Sequence, residues 1–235
     1  MDELVIDDFN TIAESTRLIR EMFGSVVSKR EFDLIYSVIS CVKPEDTEFK
    51  QYKITHKQIA KIFNPANPRC KATKKDVENA INSLMSAHFT FGDMEYHWVE
   101  TCQRKPDHII FKLSNDVRGF YLDLHKGKTV YLLADLLSLS TIFQANLFRY
   151  LTCNSNFNND IKISPQDMKL KLANNDELRT DVLTKMVERA VRQINEKTQL
   201  NVEYKIEREN YKKIKWFVFD ITNNYEKLDE TLKAC

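Results

Sequence analysis

Lys185, Arg189 and Arg192 fall at spacings of four and three residues, and Glu196 follows four later. On a helix that spacing lines one exposed stripe. Leu183, Met186, Val187, Ala190, Val191 and Ile194, interleaved with them, recur at helical spacing as an apolar side. Two chemistries fit such a stripe. One is a solvated face on which Glu188 pairs with Lys185 or Arg192, each pair adding about 0.3–0.5 kcal/mol. The other is a grip on DNA, where Arg and Lys reach guanine edges and phosphates in the major groove. Arg179 precedes the stripe. Arg208, Lys212, Lys213 and Lys215 follow it within and beside the basic turn "RENYKK".

The flanking sequence says which elements must position these cations. "LNVEYKIE" (Leu200 to Glu207) and "IKWFVFDI" (Ile214 to Ile221) alternate as two strands joined by that turn. Upstream, "ISPQDMKLKL" opens a short helix with Ser164 as cap and Pro165 at its first position. "TIFQANLFRYLTCN" (Thr141 to Asn154) is an apolar helix, and "NSNFNND" is a polar loop. The first half has the same order. Ser28 and Glu31 form a capping box opening a helix expected to reach about Val42, with Leu34, Ile35, Val38 and Ile39 inward. "ITHKQIAKIF" follows with Thr55 as cap, and "NPANP" breaks the chain. A third helix is expected from Thr73 to about His88. Its Val77, Ala80, Ile81, Leu84 and Met85 face inward, and Lys74, Lys75, Asn79 and Asn82 point elsewhere. Two strands, Glu95 to Cys102 and His108 to Ser114, flank the basic turn "QRKPD".

Helix, short helix, longer helix and hairpin is the winged-helix variant of helix-turn-helix. The expected fold is therefore α+β, with two tandem, pseudo-symmetric winged-helix domains. We expect an acidic N-terminal arm and lead-in over 1–27, winged helices over 28–126 and 127–222, and a tail over 223–235. The segment Asn115 to Ser140 would link the two, beginning as a helix. In the first domain the DNA-facing candidates are Lys57, Lys74, Lys75, Asn79 and Asn82, with Arg104 and Lys105 on the wing. Protein contact is the rival role for that copy.

Composition narrows the function classes. The net charge of +1 names no partner, yet the charge is segregated. Lys50 to Lys75 holds eight basic residues and no acidic one, and Arg179 to Lys215 holds ten against six. Met1 to Thr16 holds five acids and no base, and reads as a solubilising tail. Phosphate backbones select concentrated Lys and Arg. The five cysteines are widely spaced with no C-x-x-C pair, which fits reduced thiols in a cytoplasm and no zinc site. No apolar run approaches the ~18 residues a membrane span needs. The histidines are scattered and no phosphate loop is present, so nothing in the sequence implies a cofactor or metal. A rolling-circle nickase, which needs clustered histidines beside a nucleophilic tyrosine, is disfavoured. A winged-helix transcriptional repressor shares every feature above and stands as the alternative.

"REFDLIYSVISCVKPED", "YKITHKQIAKIF", "LSLSTIFQANLFRYL" and "KMVERAVRQINEKTQLNVEYKIE" together resemble the initiator replication proteins of iteron-containing plasmids, over roughly residues 17 to 221. The resemblance implies binding to direct repeats (iterons) at an origin, opening of nearby A·T-rich DNA, recruitment of host replication proteins, and a monomer–dimer equilibrium with a repressor dimer. It places Lys185 on the DNA-facing edge of the C-terminal recognition helix, and matches Ala190, Ile194 and Asn195 to that helix's core and exit. Arg189 stands where the family commonly has proline, and "RENYKK" lacks the family's usual wing glycine.

Overall fold

The computed structural model describes residues 2–3, 10–43, 45–63, 73–122, 124, 127–155 and 160–223. Among them no helix is long and apolar enough to cross a membrane. The chain forms two compact units, Met1–Leu137 and Ser138–Cys235.

The first unit runs β1 (Asp2–Glu3), β2 (Thr11–Ser15), α1 (Thr16–Glu21), β3 (Phe23–Val26), α2 (Lys29–Ile39), β4 (Gln51–Thr55), α3 (His56–Phe63) and α4 (Lys74–Ser86). It continues with β5 (His88–Phe91), β6 (Met94–His97), β7 (Val99–Arg104), β8 (His108–Leu113), a 3-10 turn (Asn115–Val117), α5 (Arg118–Tyr121), β9 (Lys128–Leu132) and α6 (Leu133–Ser138). The capping box opening α2 is present: the Glu31 carboxylate accepts from the Ser28 amide. α2 ends at Ile39, short of the expected Val42, because the Cys41 and Val42 amides turn back to Val38 and Ile39 at 3.0 Å each. A second reciprocal cap opens α3, where the Thr55 amide donates to Gln58 Oε1 at 2.7 Å and the Gln58 amide to Thr55 Oγ1 at 3.3 Å. Leu34, Ile35, Val38, Ile59, Ile62, Val77, Ile81 and Leu84 close the three-helix core, while Met85 is exposed.

The expected strand Glu95–Cys102 is two strands in two sheets. β6 pairs with β5, and β7 pairs with β8. Trp98 sits at the corner between them. Its amide donates to Ala87 at 3.1 Å, its carbonyl accepts from Ser114 at 3.0 Å, and its ring is buried against Phe89. The third helix accordingly stops at Ser86 and gives His88 to β5.

The lead-in belongs to this unit rather than to an arm. β2 pairs with β9, matching Ile12 to Tyr131, so the strand closing the unit comes from the expected linker. That carries the unit past 126/127 to Leu137. Glu14, counted among the acids of a solvated tail, is fully buried and accepts from the hydroxyls of Tyr131 and Tyr36. Asp7, Asp8, the "NPANP" loop with Arg69 and Lys71, and residues 224–235 lie outside the described residues.

The second unit runs α7 (Ile142–Ser155), β10 (Asp160–Ile163), α8 (Pro165–Asp167), a π-helical turn (Met168–Leu172), α9 (Thr180–Lys197), β11 (Leu200–Glu209) and β12 (Lys213–Asn223). Its sheet order β10-β12-β11 repeats β4-β8-β7 of the first unit. The registers correspond: Lys53, Ile110 and Gln103 stand across one sheet as Lys162, Val218 and Lys205 stand across the other. Each unit is a winged helix, and the fold is α+β.

Candidate nucleic-acid interface

In the second unit the chain leaves β10 through Ser164, whose hydroxyl accepts from the Asp167 amide at 3.0 Å and donates to the Asp167 carboxylate at 2.6 Å. That hydrogen bond, more than the nearby Lys171, holds the Asp167 carboxyl below its ordinary range. The short helix then widens into the π-helical turn, where the Ala173 amide reaches the Met168 carbonyl at 3.0 Å. The buried Asn146 amide donates to the Leu172 carbonyl at 3.2 Å, satisfying a group that the widened turn leaves over.

α9 buries Leu183, Val187, Ala190, Val191 and Ile194. Each buried Leu, Val or Ile contributes about 1.5–3 kcal/mol. Its far end is tied to the wing. The Asn195 side-chain amide donates to the Val202 carbonyl at 2.9 Å, and its oxygen accepts from the Val202 amide at 2.8 Å. Asn195 thereby completes the outer edge of β11, the strand at the margin of the sheet. Thr198 Oγ1 accepts from the Leu200 amide at 3.2 Å and donates to the Ile194 carbonyl at 2.9 Å. The sequence "INEKTQL" is thus the joint that sets the angle between α9 and its wing.

Lys185, Arg189 and Arg192 are exposed, and none has an ion pair among the described residues. The expected intrahelical pairs with Glu188 do not form. Glu188 instead lies close enough to Tyr204 on β11 that, after burial, its charge helps raise that phenol's pKa. Glu196 accepts from Gln193 at 2.7 Å. Arg179 is different: its fork is committed to Asp181, at 3.0 and 2.9 Å.

The wing crosses from β11 to β12 through Asn210 and Tyr211, both in the left-handed region at φ 51° and 62°. The Lys212 amide closes the turn on the Glu209 carbonyl at 3.3 Å, and Arg208 Nη1 donates to the Lys212 carbonyl at 3.2 Å. The missing glycine is therefore replaced by two positive-φ residues. Beyond the tip the register shifts between Glu207 and Arg208, which leaves Lys215 as the extra residue of a bulge. Between wing, α8 and the start of α9 lies an open groove of about 940 Å³. Lys169, Lys185, Arg208, Lys212, Lys213 and Lys215 line it against only two acids, Asp181 and Glu209. Arg189 and Arg192 continue the same exposed stripe farther along α9.

The first unit repeats the groove between α4 and its wing, with a different lining. His56, Arg104 and Lys105 share it with Glu78 and apolar residues. Lys57, Lys75 and Asn79 are exposed, and Arg104 Nη2 donates to the Asn82 carboxamide. The side chain of Lys74 lies outside the described residues. A signal in the sequence marks the equivalence of the two helices: K-x-V-E-x-A begins at Lys75 and again at Lys185, offset by 110 residues. It aligns Asn79 with Arg189 and Asn82 with Arg192.

One cluster forms across a hairpin. His88 and His97 face each other across β5 and β6, with Glu95 3.8 and 3.5 Å from them. Among the described residues no group of three His, Cys, Asp or Glu side chains could hold a metal ion.

The family patterns of initiator replication proteins match this chain twice, as the first winged helix over residues 11–152 and as the second over 168–221. No curated protein sequence matches it. Among solved structures it is similar to the Pi initiator protein crystallised in complex with iteron DNA. The TM-score is 0.73 at 13% identity, over 93% of this chain and 99% of that one, a likeness of fold. With both winged helices matched in order and over most of its length, the chain belongs to the initiator replication protein family.

Proposed function

We propose that this protein initiates plasmid replication by binding direct repeats at the origin in the cytoplasm, helping to open A·T-rich DNA beside them and recruiting host replication proteins. The observation that carries the reading is the basic groove of the second unit, continued along α9 by Arg189 and Arg192, in a member of the initiator family. Lys185, Arg189 and Arg192 read bases. Lys212, Lys213, Lys215 and Arg208 hold flanking phosphates, and Arg179 joins them by exchanging Asp181 for phosphate. The first unit, with amides where α9 has arginines, supports backbone contact through Lys57, Lys74, Lys75 and Asn79 in the monomer. The same unit forms the contact of a dimer that represses the protein's own gene.

The test is a plasmid carrying only this gene and its flanking DNA. Replication in a suitable host, lost when the repeats are deleted, is the expected result. Failure to replicate with repeat binding intact leaves a repressor instead.

A further inference from the structure

We propose that Tyr211 is itself a DNA-contacting residue, its ring entering the minor groove beside the repeat from the tip of the wing and partly unstacking an A·T step. The inference rests on the DNA-binding reading of the second unit and adds to it a contact made by an aromatic ring.

The first observation is that the fold gains nothing from this side chain. Tyr211 is 96% exposed, so its ring has almost no packing. Its backbone sits at φ 62°, a conformation that a bulky residue rarely adopts. A turn whose two central residues both have positive φ favours Asn followed by Gly. Asn210 meets that demand and Tyr211 does not. Strained, exposed residues of this kind gather at binding sites.

The second observation is where the ring stands. Arg208, Lys212 and Lys213 surround the tip, all exposed, and Arg208 braces the turn through the Lys212 carbonyl. Cations on both sides of this narrow tip would straddle the phosphates that border a minor groove about 6 Å wide. Proteins that enter this groove wedge side chains between base steps, and pyrimidine–purine steps such as TA unstack most readily. A planar ring stacks on any base, whatever the sequence of the step. The wing of the first unit turns through Lys105, Pro106 and Asp107, without an aromatic ring. The feature belongs to one copy only.

The full-length protein and its Tyr211→Gly and Tyr211→Phe variants are titrated against a duplex of the repeats, with 2-aminopurine at the A·T steps flanking the recognition site. Glycine relieves the turn, so Tyr211→Gly keeps or raises the melting temperature, whereas a purely structural tyrosine would lower it. Tyr211→Gly is expected to bind about tenfold more weakly or worse, with an unchanged salt slope and no 2-aminopurine fluorescence rise. Tyr211→Phe is expected to keep both affinity and fluorescence. Wild-type affinity and fluorescence in Tyr211→Gly overturn the inference, as does a Tyr211→Phe variant as defective as glycine. If the unmodified protein itself fails to bind the repeats, the DNA-binding reading falls and takes this inference with it.

Discussion

Replacing Lys185, Arg189 and Arg192 together by alanine separates binding from folding cleanly. All three are exposed and none has a hydrogen bond or ion pair from its side chain among the described residues, so the fold loses no polar contact. Alanine is the best helix former, which adds a few tenths of a kcal/mol at each site. The melting temperature should therefore hold or rise slightly. Binding should not hold. Each side chain that reads a base contributes about 1–3 kcal/mol, or roughly 5- to 150-fold in affinity. The single variants report these values, and the triple need not equal their sum. Titration of a fluorescent repeat duplex over a series of salt concentrations distinguishes the contacts. Loss of base readers lowers affinity for the repeat with the slope preserved and narrows the gap to random DNA. Loss of three phosphate contacts flattens the slope of log K against log salt by about 2.7. A triple variant with wild-type affinity and slope would refute the role of α9.

Lys212→Ala with Lys213→Ala should weaken repeat and random duplexes alike and flatten the salt slope by about 1.8; discrimination between the two duplexes that collapses instead would place these lysines on bases. Asn195→Ala breaks both bonds to Val202 and should lower the stability of the second unit by about 1–3 kcal/mol, seen in urea denaturation; an unshifted midpoint would count against the joint. Glu14→Ala leaves the Tyr36 and Tyr131 hydroxyls without their carboxylate and should cost the first unit on the order of 2–4 kcal/mol, with the second unit's transition unmoved. Asp33 is raised by burial to about 7 against the opposing charge and hydrogen bond of Lys29, while an unperturbed carboxyl titrates at 3.8. Between those values the folded state keeps a proton that the unfolded chain has released, so its contribution to stability falls as pH rises from about 4 to about 7. Asp33→Asn should lose that slope, and superimposable stability–pH curves for the two proteins would contradict the assignment.

The order of helices, the two caps and the apolar side of α9 were legible because local rules set them. Ser28 with Glu31 and Thr55 with Gln58 are contacts between residues three apart, and the spacing from Leu183 to Ile194 is a property of one helix. The errors came where distant residues decide. The run Glu95–Cys102 reads as one strand, because nothing local says that Trp98 bonds to Ala87 and Ser114. Glu14 reads as a surface acid, because the tyrosines that accept it into the core lie at positions 36 and 131. β9 reads as linker, because its partner β2 is more than a hundred residues earlier. The exposure of Lys185, Arg189 and Arg192 follows from their spacing along one helix. That Glu188 pairs with neither Lys185 nor Arg192 among the described residues is not set by spacing.

The repeated K-x-V-E-x-A gives the asymmetry of the two units a physical basis. Both helices carry the lysine that opens this motif, and both bury its Val and Ala. They differ on the exposed stripe, where Arg189 and Arg192 of one stand as Asn79 and Asn82 of the other. Two positive charges are thereby absent from the first unit's reading face. One of its amides is also occupied, because Asn82 accepts a hydrogen bond from Arg104 of its own wing. In the second unit the corresponding wing position is Ile206, which stands opposite Phe217 as Arg104 stands opposite Ile109. An apolar residue there leaves Arg192 unclaimed and turned to solvent. The same scaffold thus spends its wing arginine on its own helix in one copy and frees its helix arginines for a ligand in the other. On the function proposed above, that division is what would make the second unit the stronger reader of DNA and leave the first a surface for backbone or protein contacts.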